Sequence, residues 1–412
     1  MSKKDSNLVV GLDLGTSKVV AVVADVSDNN IEVLGVGVCK AHGMRKGVIV
    51  NVDATIQAIA RAIEEAEEIV GCQIHSVYVG IVGSYLKGIN SHGMVAIANR
   101  EVTQLDIDNV IEAAKAVAIP PDQKILHLLP QEFIVDNQDG INNPIGMVGV
   151  RLETKAHIVT GSINGLQNII NSVKKCGLEV DDIILEQLAS SYAVLNQDEK
   201  RLGVCMIDIG GGTTDIAVFN NGSICYTSVI PVAGDQVSND ITVAFRIPLK
   251  QAEEIKIKHA VAMCNLADPE HKIQINLVGH SHHGNLEISQ HHLAQVVEPR
   301  YEELLYLVKE ELQKAGLINS LIAGIVLTGG SSKIPGIVEL ADKIFNLPVR
   351  QGIPNNVIGD PEIINNPVFA TAIGLLYSKK EKQAVKTANS NLATKKIRNT
   401  FNRVKEWFQV NF

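Results

Sequence analysis

Asp13, Gly15, Thr16, Ser17 and Lys18 crowd one turn between two apolar runs, and Asp208, Gly210, Gly211, Gly212, Thr213 and Thr214 crowd another. Glycine lets backbone amides approach an anion with no Cβ in the way, and consecutive amides in a tight turn form a concave anion site. Each turn therefore suits a phosphate. Asp13 and Asp208 hold equivalent places in the two turns, where a carboxylate could orient the waters of a hard cation such as Mg²⁺. Neither turn is a Walker A loop: the spacing fails G-x-x-x-x-G-K-[ST], and Lys18 leads into a β-branched run rather than a helix. An ordinary hairpin would also account for the first turn. It accounts poorly for the second, because three successive glycines weaken a sheet and offer nothing to pack, so the close approach of a ligand explains them better.

A third glycine site, Gly329-Gly330-Ser331, follows an apolar strand-like run and precedes a helix. Strand, glycines and helix N-terminus recur at nucleotide sites, although serine caps on a plain helix entry would read the same way. Glu253 and Lys256 stand three apart in a helical segment, as ligand contacts or as an exposed ion pair. His280, His282, His283, His291 and His292 surround Gly279, Gly284 and Asn285, which reads as a solvated turn rather than a zinc site. The G-x-S-x-G signature of a serine nucleophile is absent.

The elements that must position these turns follow from pattern. A length of 412 residues suggests roughly two to three domains, with 46% hydrophobic and 20% charged residues fitting a packed globule. Asn7 to Val23 reads as a hairpin and Ile31 to Val38 as a third strand. Asp53 then opens a helix faced by Ile56, Ile59, Ile63 and Val70, and Val77 to Val82 returns as a strand. Residues 84–163 read as a smaller α/β unit: a strand at Met94–Ala98, a helix behind the capping box Thr103-x-x-Asp106, and strand-rich runs at Ile125–Val135 and Val148–Thr160. From Val204 the chain partly repeats itself, since VVGLDLGTSKVVAVV from Val9 matches VCMIDIGGGTTDIAVF, and such self-similarity implies two related halves facing each other. Helices are expected at Leu249–Met263, Ser289–Gly316 and Pro335–Asn346, with a strand at Gly324–Gly330.

Charge is segregated. Lys plus Arg number 37 and Asp plus Glu 45, a net of −8. Lys379 to Phe412 carries nine Lys/Arg against Glu381 and Glu406, a net of +7, so the preceding residues carry −15 and argue against nucleic acid as a partner. Residues 379–394 read as a flexible linker. Beyond them Ile397, Phe401, Val404, Phe408 and Phe412 recur on one helical face, with Trp407 at its edge and Lys395, Lys396, Arg398, Arg403 and Lys405 flanking it. That is the pattern of a helix lying in an anionic lipid headgroup layer, at about 1 kcal/mol per basic residue. The longest uninterrupted apolar run, Val19–Ala24, is six residues, so neither a signal peptide nor a spanning helix is expected, and the six cysteines lack a C-x-x-C pair, as structural thiols of a reducing compartment would.

Taken in order, Asp-x-Gly-Thr, Asp-x-Gly-Gly-Gly-Thr and Thr-Gly-Gly resemble the phosphate-1, phosphate-2 and adenosine motifs of the actin, Hsp70 and sugar-kinase superfamily. The resemblance implies an actin-like two-domain α/β fold with pseudo-repeated layers, ATP and Mg²⁺ held between them, and a polar residue before phosphate-2 that places the attacking water. Glu186 occupies that place here, where a helix cap would serve as well. No hydroxyl-binding pocket or base marks a sugar kinase, and only 76 residues follow Gly336, too few for a chaperone's peptide-binding domain. The bacterial actin MreB lacks an insertion such as 84–163.

With that insertion and the basic amphipathic C-terminus, nearly the whole chain resembles the FtsA family of bacterial cell-division proteins. The implied organisation is a first domain at 1–83, 164–200 and 360–378, interrupted by the inserted subdomain 84–163. A second domain at 201–359 contains a smaller subdomain at about 228–306, and the linker and the membrane helix 395–412 follow. The resemblance further implies a peripheral protein on the cytoplasmic face of the inner membrane at the division site. It would self-associate into protofilaments, tether the tubulin homologue FtsZ, and bind other division proteins through the insertion. Arg300 is suspect as an FtsZ contact, with ordinary surface placement equally open. Any ATP hydrolysis would be slow, and an ATPase or phosphotransferase of the same superfamily acting on a small acceptor is the alternative.

Overall fold

The computed structural model describes residues 8–27, 30–277 and 285–379. The chain opens on β1 (Leu8–Leu14) and β2 (Lys18–Val26), valine-rich runs buried on both faces, followed by β3 (Ile31–Lys40) and a short hairpin of β4 (Met44–Arg45) and β5 (Val48–Ile49). Helix α1 (Val52–Val70) begins one residue before Asp53, because Asn51 accepts from the Ala54 amide as its cap, and it ends at Gly71 in the left-handed region. Strand β6 (Ser76–Ile81) follows.

The insertion comprises β7 (Leu86–Ala96), α2 (Gln104–Lys115), β8 (Gln123–Val135), β9 (Gln138–Ile141) and β10 (Arg151–Ser162), in the sheet order β7-β10-β8-β9. The capping box forms as expected, with the Thr103 amide and hydroxyl both donating to Asp106 at 2.8 and 2.6 Å. Strand β7 starts eight residues before the expected Met94. Its first half, Leu-Lys-Gly-Ile-Asn-Ser-His-Gly, lacks apolar alternation, and its eleven-residue pairing with β10 forms it instead. Around Val110, Phe133 and Leu152 the insertion has a core of its own.

Helix α3 (Ile163–Lys175) and β11 (Glu179–Leu185) close the first sheet, in the order β11-β6-β1-β2-β3. Helices α4 (Glu186–Val194) and α5 (Gln197–Leu202) lead to the second lobe, whose hairpin is β12 (Val204–Ile209) and β13 (Thr214–Asn220), followed by β14 (Ser223–Ile230). Then come α6 (Gly234–Phe245), α7 (Leu249–His259), the ribbon β15 (Lys272–Asn276) and β16 (Asn285–Ser289), and α8 (Gln290–Lys314). Helix α7 stops four residues short of Met263, where Ala260 turns extended. His291 and His292 sit in the first turn of α8 rather than in a loop, and His280, His282 and His283 lie outside the described residues. Strand β17 (Gly324–Thr328), α9 (Ile337–Phe345), β18 (Val349–Gln351), α10 (Pro361–Ile364) and a final helix α11 over 370–379 complete the chain. The expected amphipathic helix 395–412 also lies outside the described residues.

The two principal sheets share one topology. In the first, β3-β2-β1 run antiparallel and β6 joins β1 in parallel; in the second, β14-β13-β12 run antiparallel and β17 joins β12 in parallel, with β18 beyond. The repeat seen between Val9 and Val204 is thus a repeat of whole layers. Along β12 the side chains alternate between two cores: Val204 and Met206 face the first lobe, while Cys205, Ile207 and Ile209 face the helices of the second. Helices α4 and α11 cross between the lobes at small residues, and a Cβ on Gly374 would strike the backbone of Ala189. Leu305 on α8 is fully buried in the second core. Leu305→Ala is expected to lower unfolding free energy by about 2–5 kcal/mol, read as the shift in denaturant midpoint at unchanged slope.

Candidate functional site

Equivalent hairpins in equivalent sheets bring their turns to the same cleft. The β1–β2 turn is fixed by Ala41, whose amide donates to Ser17 O at 3.0 Å, and by Gly47, whose amide donates to Thr16 Oγ1 at 3.2 Å. In the β12–β13 turn the Gly210 amide donates to Thr213 O at 2.9 Å, and Gly210 O accepts from the Gly234 amide at 3.2 Å and from Ser331 Oγ at 2.8 Å. Ser331 thereby ties the third glycine site to the second.

Gly211 and Gly212 face the opposite turn. A Cβ on Gly212 would sit 2.7 Å from Thr16 Cγ2 and Oγ1, and one on Gly211 would sit 2.8 Å from Ser17 Cβ. These glycines are needed because two turns from different lobes must touch, a closer cause than the approach of a ligand. Gly329, at φ +86°, is doubly constrained, since a Cβ there would also collide with Asp208 Oδ1.

The turns enclose a cavity of about 480 Å³, the size of a small-molecule site. Asp13, Gly15, Thr16, Ser17 and Lys18 line one side. Gly210, Gly211, Gly212, Thr213 and Asp208 line the other, with Gly329, Gly330 and Ser331 beyond them. Glu253 and Lys256 complete the wall as a 2.7 Å ion pair; Lys256 also donates to Gly234 O at 3.0 Å and Ser238 Oγ donates to Glu253. The i,i+3 pair forms, but Lys256 is largely withdrawn from solvent rather than exposed, and both residues line the cavity.

Two expected residues stand apart from the cavity wall. Thr214 is buried, and its hydroxyl donates to Val232 O at 2.8 Å, which holds β13 against the approach to α6. Arg300 lies on α8, held by both oxygens of Asp240 at 2.5 and 3.0 Å and by Glu303, so its guanidinium is already engaged within the chain.

Four carboxyl groups line the cavity. Asp13, Glu186, Asp208 and Asp215 are all buried, and burial raises each above the ordinary carboxylate range. For Asp13 the result is about 7, with Lys18 opposing the rise and Asp208 adding to it. Lys18 is itself pushed down by burial, and it donates to Val368 O at 2.9 Å. Asp208 accepts from Ser190 Oγ at 2.7 Å and from Thr371 Oγ1 at 3.2 Å, contacts that partly offset its desolvation. Glu186 is raised further by Asp13, Asp215 and Asp208, and its Oε1 has no hydrogen-bond partner. Gln187 donates to Asp215 at 3.3 Å and also keeps an unpartnered oxygen. A lining with more buried acids than bases suits a cationic or donor-bearing ligand. Among the described residues no three His, Cys, Asp or Glu are grouped to hold a metal by themselves. Asp13 and Asp208, the carboxylates expected to orient a cation's waters, both line the cavity.

Sequence reasoning missed Asp215, Gln187, Ser190, Asp235 and Thr371 as site residues. The first had a signal, as the acid closing D-x-G-G-G-T-T-D. Thr371 had none, because it reaches Asp208 from α11 across 163 positions.

A family model described as cell division protein FtsA matches residues 205–374, and one described as the SHS2 domain inserted in FtsA matches 83–160. The chain is 51% identical over 417 residues to cell division protein FtsA of Pseudomonas aeruginosa, covering 100% of both. It is 40% identical to cell division protein FtsA of Escherichia coli K12, covering 99% of both. Among solved structures, MreB5 of Spiroplasma citri bound to ADP superposes with a TM-score of 0.56 at 17% identity, covering 93% of this chain and 99% of that one. The PilM–PilN type IV pilus biogenesis complex superposes with a TM-score of 0.65 at 16% identity, covering 90% and 98%. These two likenesses establish an actin-like fold.

Proposed function

Because the chain belongs to the FtsA family of cell-division proteins, we propose that it binds ATP with Mg²⁺ between its lobes and acts as an actin-like adaptor at the division ring. In this reading it tethers FtsZ filaments to the cytoplasmic membrane. The observation that carries the nucleotide part is the convergence of two repeat-related glycine turns on one cavity of about 480 Å³. Bound there, Mg·ATP would supply phosphate oxygens to the lysines and turn amides, and a cation to offset the buried acids. Lys18 meets negative charge from the first lobe, Lys256 stands on the opposite wall, and Ser331 holds the third glycine site to the second turn. Asp13 and Asp208 orient the cation's waters. Glu186 would hold a water for slow hydrolysis, a reading supported by its burial at the first turn of α4 and its unpartnered Oε1.

The membrane part rests on the charge and periodicity of residues 395–412. One tail binds lipid marginally, and several on a protofilament bind firmly through avidity. The insertion is a folded unit with its own core, suited to docking other division proteins. Arg300 needs its Asp240 and Glu303 partners displaced before it can meet an acidic FtsZ segment.

Calorimetry of the full chain with Mg·ATP should show saturable uptake; its absence defeats the nucleotide claim, and rapid phosphate release or transfer to a small acceptor would favour the enzyme alternative. In sedimentation with anionic liposomes the intact chain should pellet and a chain ending at Tyr377 should stay in solution. Equal pelleting of both would remove the membrane claim.

A further inference from the structure

The insertion is joined by chain to the first lobe, yet it touches both. Its apolar contact is with the larger core, which buries Leu86 and Val159, has Leu126 and Leu129 packed against it, and is built mainly from the first lobe, with Ile224 of β14 at its edge. His127 Nε2 of β8 accepts the amide of Leu185, the residue immediately before Glu186, at 3.1 Å. Toward the second lobe the contact is a hydrogen-bonded seam along β14. Asn90 donates to Cys225 O at 3.1 Å, Gln131 to Ile224 O at 3.2 Å, and Ser223 Oγ to Gln131 O at 2.9 Å.

At the centre of the seam His157 is buried, with Nδ1 2.8 Å from Asn90 Oδ1 and Nε2 2.9 Å from Thr227 Oγ1. Asn90 Oδ1 also accepts from Gln131, so it is an acceptor toward the ring as well. A neutral imidazole therefore donates from Nδ1 and accepts the Thr227 hydroxyl proton at Nε2. Burial keeps His157 neutral by pushing it down to about 4. A Cβ on Gly88 would collide with Thr227 Oγ1, so the strands meet closely only because that position is glycine. Strand β14 leads straight to the cavity, since Val229 pairs with Asp215 and Ile230 with Thr214.

Hydrogen-bonded seams separate more readily than apolar ones, because water replaces the lost partners. We propose that the insertion is a strap across the cleft: anchored on the first lobe, latched to β14 through His157 and Thr227, and unlatched when the lobes part to admit or discharge the cavity's ligand. It rests on the nucleotide reading above only for its choice of probe.

Thr227→Val keeps the shape and removes the hydroxyl that His157 accepts. In hydrogen exchange of the nucleotide-free full chain, amides of 223–230 and 86–96 should exchange about tenfold faster in this variant, with β1 and β2 unchanged, as expected for one buried hydrogen bond. A fluorescent N-methylanthraniloyl-ATP with Mg²⁺ should leave the variant about tenfold faster. Gly88→Cys combined with Thr227→Cys, at the point where a Cβ on Gly88 would meet the Thr227 side chain, should form a disulfide under mild oxidation, slow that departure at least tenfold, and recover with reductant. Wild-type protection at both strands in Thr227→Val overturns the strap. So does unchanged departure from a chain whose disulfide is verified by mass. If the probe does not bind, the nucleotide reading fails and hydrogen exchange alone decides; if the disulfide does not form, hydrogen exchange again decides.

Discussion

Gly212→Val is expected to weaken uptake of Mg·ATP about a hundredfold while leaving the far-ultraviolet circular dichroism unchanged. The added Cβ would lie 2.7–2.9 Å from three atoms of Thr16 on the other lobe, and the branched methyls need more room still. The backbone on each side is held by ladder pairs, Ile209 with Thr214 and Leu14 with Val19, so the crowding is relieved by moving the turns apart rather than by a side-chain rotation. Overpacking of this kind costs about 1–3 kcal/mol, and each 1.4 kcal/mol is tenfold in affinity. Each sheet keeps its own ladder pairs, so the loss falls on the cleft. Calorimetry of the variant beside Gly165→Ala, on α3 and away from the cavity wall, where a Cβ meets Tyr85 at an ordinary 3.4 Å, isolates the effect. Equal affinity for all three proteins would show that the apposed turns do not form the binding site.

The second large effect is a stability that falls with rising pH. Asp13 has a folded value of about 7 against 3.8 for the unfolded chain. A carboxyl with a raised folded value holds its proton in the native state while the unfolded chain has released it. Its contribution is therefore fully present below pH 3.8 and is lost as pH rises toward about 7, the reverse of a salt-bridged aspartate. Between pH 5 and pH 7 the loss amounts to about 2 kcal/mol at 1.36 kcal/mol per unit, because the group is half ionised at the upper end. Glu186, Asp208 and Asp215 shift in the same direction. Asp106 and Glu132, held low by Thr103 and Lys155 respectively, act in the opposite sense below the ordinary carboxylate range.

Asp13→Asn removes one titration and keeps the shape. Relative to the parent chain, the variant should become more stable by about 2 kcal/mol in going from pH 5 to pH 7, read from urea midpoints in the absence of nucleotide. A difference that stays constant across that interval would mean that Asp13 is already ionised in the fold. Under the proposed function the same substitution also weakens Mg²⁺-dependent binding, so stability gained at neutral pH and ligand affinity lost should appear together.

Much of the architecture is local enough to be read from residue order. The two hairpin turns, the capping box at Thr103 and the periodic face of α1 are each carried within fewer than twenty consecutive positions, and backbone propensity and side-chain period act over that range. The Val9 and Val204 repeats likewise implied two facing layers. The first half of β7 escaped because its strand is imposed by β10, not by its own pattern.

Other features belong to the tertiary structure alone. Residue order put glycines in the second turn but did not show that they face Thr16 and Ser17. It offered Asp13 and Asp208 as ordinary carboxylates, whereas their protons depend on how completely the folded surroundings exclude water, with Lys18 opposing the rise at both. Thr371 reaching Asp208, and His157 reaching Thr227, are meetings of residues 163 and 70 positions apart. Local periodicity is blind to such pairs, since they form only when whole layers pack, and desolvation is a property of that packing rather than of any segment within it.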